Sequence, residues 1–73
     1  MTFIDLTHYR CPLALVKLKM ALKQLPGGEV LRVQLKDSGS RQDVPRFLEK
    51  ANWQYVEIQN DAEILELSIT RGD

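Results

Sequence analysis

The chain has 73 residues, 44% of them hydrophobic and 27% charged, with ten basic and ten acidic side chains and a formal net charge of zero. That size and mix describe one small globular domain over 1–73, and they argue against disorder and against nucleic acid as a direct partner, because phosphate binding needs a basic excess or a clustered basic face. The amino terminus shows no signal peptide and no apolar run is long enough to span a membrane, so a cytoplasmic protein away from membranes is expected; a monomer is expected as well.

Residues 3–6 read as a first strand and 7–10 as a connection. A helix is predicted over 12–25, because Leu15, Leu18, Leu22 and Leu25 recur at helical spacing with Ala14 and Ala21 beside them. Pro26-Gly27-Gly28 ends it. Residues 29–35 alternate, with Leu31, Val33 and Leu35 pointing one way, as in a half-buried strand. A second helix carries Val44, Phe47, Leu48 and Ala51 on one face. Ser40 and Asp43 have capping-box spacing, and Pro45 suits a first turn, so the regular helix is expected to begin near Gln42 or Asp43. Residues 53–59 and 63–70 read as an antiparallel hairpin turning at Asn60-Asp61.

The order β-α-β-α-β-β, with right-handed crossovers, places both helices on one face of a four-stranded mixed sheet. The fold class is therefore α+β, a two-layer α/β sandwich. Its open sheet face should carry Asp5, Arg32, Gln34, Glu57 and Glu66.

Cys11 is the only cysteine, and it falls where the first connection gives way to the first helix. With Pro12 at the first helical position, Cys11 becomes the N-cap, and the amides of Leu13 and Ala14 can reach its sulfur. Free amides and the helix dipole favour a thiolate there, and Arg10 adds positive charge. A lone cysteine is more often a small buried hydrophobe; the N-cap position followed by proline reverses that preference. Cys11 is thus the candidate catalytic residue, with Arg10, Pro12, Leu13 and Ala14 in support. Val16 and Met20 lie off the leucine stripe among Lys17, Lys19 and Lys23, a candidate docking patch for an acidic-rimmed partner. His8 reads as an exposed loop histidine. One cysteine and one histidine fall short of a metal site, so no metal or other cofactor is expected.

Ile4-Asp5, Arg10-Cys11-Pro12-Leu13, 25–31 (Leu-Pro-Gly-Gly-Glu-Val-Leu) and the acidic segment 37–47 with Asp43-Val44-Pro45 give the chain a pattern that resembles the TusA/SirA-like sulfur-carrier family. The family motif is Cys-Pro-x-Pro; here it is Cys-Pro-Leu-Ala, with Ala14 in the fourth place and His8 where a glycine is common. The resemblance implies a βαβαββ fold like the C-terminal domain of translation initiation factor three. It implies a carrier of sulfurtransferase type rather than a stand-alone enzyme, relaying persulfide sulfur on Cys11 from a cysteine desulfurase to a downstream acceptor protein, for example towards tRNA thiolation. Two other readings stay open: a non-catalytic interaction or regulatory module on the same fold, and a single-cysteine redox sensor, against which the lack of a resolving cysteine counts.

Overall fold

A computed structural model describes residues 2–71. The elements are β1 (Thr2–Asp5), α1 (Leu13–Gln24), β2 (Val30–Leu35), α2 (Ser38–Lys50), β3 (Gln54–Asn60) and β4 (Leu65–Thr70). One four-stranded sheet has the order β1-β2-β4-β3. β1 runs parallel to β2, and β4 pairs antiparallel with both β2 and β3.

The alternation seen in the sequence decides the layering. Leu31, Val33 and Leu35 of β2 lie in register with Ile69, Leu67 and Leu65 of β4, and all six are buried. Ala14, Leu18 and Leu22 of α1 and Val44 and Leu48 of α2 join them in one core cluster, so both helices cover that face. Burying a leucine or valine side chain contributes about 1.5–3 kcal/mol, which makes this cluster the main source of stability. On the open face Arg32 forms an ion pair with Glu66, which also accepts from Gln34 Nε2 at 2.9 Å. Gln34 is the first cause, and Arg32 a lesser one, that holds the Glu66 carboxyl below the usual carboxylate range.

Glu57 departs from its expected place on the open face. It pairs with Leu67, so it lies on the helix side at the sheet edge, while Val56 pairs with Ser68 and is 63% exposed on the open side. The register shifts between Glu57 and Gln59, a bulge at Ile58 that breaks the simple alternation of Val56 and Ile58.

The start of α2 also differs from expectation. The helix begins at Ser38, capped by Asp37, and Pro45 sits inside it. The Asp37 carboxylate accepts from the Ser40 backbone N–H at 3.0 Å and from Ser40 Oγ at 3.2 Å. The cap expected of Ser40 is thus taken by Asp37, which stands at the same spacing from Ser40 as Ser40 does from Asp43 and brings a longer side chain with full charge. At its other end Asn52, at φ 63°, lets Trp53 N–H reach the Leu48 carbonyl at 2.8 Å and Asn52 N–H reach Glu49 at 3.2 Å. That is a Schellman closure with asparagine in the left-handed place. The C-terminal carbonyls of α1, Leu22 and Leu25, are met by the Arg71 guanidinium at 3.0 and 2.9 Å.

Candidate functional site

β1 and β2 are parallel neighbours, so the connections leaving them emerge at the same end of the sheet, beyond the carboxyl ends of these strands, and α1 and α2 both begin there. This topology brings Cys11, in the first connection, against the start of α2. Cys11 N–H donates to Asp37 Oδ2 at 3.1 Å, the same oxygen that caps Ser40. Gly39 makes the approach possible: a side-chain carbon there would lie 3.0 Å from Cys11 Cβ and 3.2 Å from Asp37 Oδ2. The Cys11 thiol donates to Asp43 Oδ2 at 2.7 Å, one turn further along α2. Cys11 is exposed and free.

These contacts correct the expected electrostatics. Cys11 is not the N-cap of α1. Pro12 occupies that position, at φ −95° and ψ 1°, and no side chain caps the helix. The Cys11–Pro12 peptide bond is cis. The Ala14 amide, expected to face the sulfur, donates to the Arg10 carbonyl at 3.1 Å. The thiol is held above its ordinary ionisation range, first by its hydrogen bond to Asp43, then by partial desolvation and by the charges of Asp43 and Asp37. A carboxylate that accepts the thiol proton stabilises the neutral form. Cys11 therefore rests as a thiol rather than as the thiolate expected from a helix N-terminus. Asp37 is moved the other way: the amides of Cys11 and Ser40 hold its carboxyl below the usual range, with Ser40 Oγ and Arg10 adding to the effect.

The supporting residues separate into distinct places. Pro12 opens α1, Ala14 is fully buried, and Arg10 is exposed near Asp37. Leu13, Val16 and Met20 are 55%, 47% and 57% exposed, at i, i+3 and i+7, and form an apolar row running from Cys11 along α1. The lysines of the expected docking patch fall on both sides of this row. Lys17 lies 4.7 Å from the Tyr9 ring, in a cleft it shares with Met20. Lys19 lies 5.0 Å from the Phe47 ring, and with Lys23 it faces Trp53 and Arg71 between the helices. His8 is exposed and lines a shallow cleft with Arg10, Lys36 and Asp37.

In the sequence Asp37 and Gly39 show only as part of the acidic segment 37–47, and Asp43 as a capping-box candidate for α2. Their link to Cys11 follows from topology, because loops leaving parallel neighbouring strands meet at the same end of the sheet. Among the described residues, no three His, Cys, Asp or Glu side chains are grouped to hold a metal ion, and no helix is long and apolar enough to cross a membrane.

The model of one family, sulfurtransferase TusA, matches residues 2–71. Three curated relatives share the name "Putative sulfur carrier protein". The one from Archaeoglobus fulgidus is 33% identical over 61 residues, covering 84% of each chain. YrkF of Bacillus subtilis is 30% identical over 69 residues, 94% of this chain, which spans only 37% of that relative's length. YrkI of the same organism is 26% identical over 94% of this chain and 92% of its own. The crystal structure of a SirA-like protein from Desulfitobacterium hafniense superposes with a TM-score of 0.81, at 28% identity and full coverage of both chains.

Proposed function

The chain belongs to the TusA sulfurtransferase family, and from that premise we propose that it is a sulfur carrier working through Cys11. The observation that carries the reading is an exposed, free thiol at the end of the sheet where both helices begin, held between Asp37 and Asp43. Cys11 takes a sulfane sulfur from a cysteine desulfurase and passes it to a thiol of an acceptor protein, for example on a route to tRNA thiolation. Each transfer is a thiol exchange: the attacking sulfur bonds the outer sulfur of a persulfide as the older S–S bond breaks, and the departing sulfur takes up the proton that the attacking thiol gives up. No net oxidation occurs, so one cysteine suffices, and a reducing cytoplasm keeps it free. The protein acts as a monomer on protein partners, without direct contact to nucleic acid.

The Leu13, Val16 and Met20 row is the docking surface. It is apolar, adjoins the reacting sulfur, and has lysines on either flank, which suits a partner groove rimmed by acidic residues. Donor and acceptor use it in turn.

The deciding measurement is intact mass after incubation with a cysteine desulfurase and cysteine. A gain of one sulfur atom, removed by reductant and absent from Cys11→Ser, is expected. No gain with several desulfurases would overturn the carrier reading. Met20→Asp should slow the gain; an unchanged rate removes the docking assignment.

A further inference from the structure

We propose that Asp43 is a positioning residue that senses whether Cys11 is loaded, holding the empty thiol against α2 and repelling the sulfur-bearing form into solvent. The inference rests on the carrier reading above and adds a regulation of the same site.

In the empty carrier Sγ bears a hydrogen, and that hydrogen goes to Asp43 Oδ2 at 2.7 Å. Loading is Cys11–SH + R–S–SH → Cys11–S–SH + R–SH. The Cys11 sulfur attacks the donor's outer sulfur, the donor S–S bond breaks as the new one forms, and the proton leaves on the donor thiol. Sγ is then bonded to carbon and to sulfur and has nothing left to donate. The new terminal sulfur belongs to a hydropersulfide, a stronger acid than a thiol, so at neutral pH it is an anion. The same carboxylate that attracted the empty sulfur now faces lone pairs and a like charge.

The surroundings make the contrast one-sided. The charged groups that face the thiol from α2 and its cap are Asp43 and Asp37. Arg10 lies in the cysteine's own loop near Asp37, and Lys36 and His8 line the cleft beside Asp37. Both carboxylates favour the protonated, empty state. Gly39 stands close against Cys11 Cβ, which sets the cysteine tight against the start of α2. The Cys11 amide remains tied to Asp37 in either state, so the loop stays in place while the sulfur turns outward. Asp43 thus favours unloading: it lowers the energy of the empty carrier and raises that of the loaded one.

A competition between two carriers tests this. Wild-type protein is loaded with inorganic polysulfide, freed of excess reagent, and mixed with an equal amount of empty Asp43→Asn. Sulfur exchanges between the two until it equilibrates, and intact mass after alkylation reads its distribution. The Asn variant is expected to hold about fivefold more persulfide, since it loses the charge-assisted bond in the empty state and the repulsion in the loaded state. Asp43→Glu, which restores the charge, should bring the ratio back towards equality. An equal or reversed distribution with Asn overturns the proposal. A second readout needs only wild type: the backbone amide signals of Asp43 and Val44 should shift on loading, and unmoved signals also overturn it. Polysulfide loads the thiol without any desulfurase, so the two readings fail separately. Unequal partition in a protein that no desulfurase can load refutes the relay and keeps the sensor. Equal partition with normal enzymatic loading refutes the sensor alone. A Cys11 that polysulfide cannot load overturns both.

Discussion

The two helices begin side by side and begin differently. α2 has a full cap: Asp37 takes two bonds from Ser40, and a third donor, the amide of Cys11, comes from the neighbouring loop. α1 has none, and its first turn is closed only through backbone bonds to Arg10 and Pro12. The reactive residue belongs in sequence to the weaker start, yet it is positioned by the stronger one. The lesson concerns where a site's precision comes from. A thiol in an uncapped turn would sample many orientations, and a cap on the adjacent helix supplies the fixed reference that its own helix lacks.

The most severe way to break this contrast is Asp37→Ala. It removes the α2 cap and frees the Cys11 loop together, so Tm should fall on the order of 5–10 °C in a thermal melt, with faster alkylation of Cys11. A fall in Tm with unchanged alkylation would mean that the cap serves α2 alone. Gly39→Ala attacks only the close approach. The added carbon lies 3.0 Å from Cys11 Cβ, so the loop must give way, and Tm should drop by a few degrees, on the order of 3 °C.

Asp43→Asn leaves both helix starts intact and changes the thiol. Its ionisation midpoint should fall towards the ordinary value, and alkylation near pH 7 should rise severalfold while Tm there stays within about 2 °C. The sign carries into stability. A group whose ionisation is raised by folding contributes stability below its unfolded value, about pH 8.5 for a thiol, and that stability is lost as pH rises through the folded value. The wild type should therefore lose more Tm than Asp43→Asn as pH rises above the unfolded thiol value of about 8.5, and parallel curves would contradict the assignment. The mildest change is Ala14→Pro, which removes one amide bond to the Arg10 carbonyl in a turn where proline is tolerated. A Tm change of about 1–2 °C is expected with no shift in the Cys11 midpoint, because that amide does not face the sulfur.

Much of this architecture was legible in the sequence. Leu18 and Leu22 announced the buried stripe of α1, and Leu31, Val33 and Leu35 announced a strand with one buried face, as both proved to be. The element order then implied the layers. Local patterns failed where tertiary contacts chose among equal candidates. Ser40 and Asp43 have the same spacing as Asp37 and Ser40, and Pro45 favoured a later start to the helix. Only the structure reveals that Asp37 also serves Cys11. The thiol itself was recognised, but its electrostatics were inferred from its own helix. Two carboxylates 26 and 32 residues away reverse that expectation, and no local reading of Arg10-Cys11-Pro12 contains them.

The bulge at Ile58 bears on a different hazard. β3 is the outer strand next to β4, with Val56 and Ile58 63% and 49% exposed. A long regular edge of this kind offers unpaired amides and carbonyls to any other chain in an extended state. The register shift between Glu57 and Gln59 interrupts the repeat halfway along the strand. Glu57 and Asn60, joined by a hydrogen bond of 3.3 Å, place polar groups on either side of the interruption. A second copy could therefore extend the sheet only along Gln54 to Glu57 before its ladder fell out of step, which works against polymerisation at high concentration.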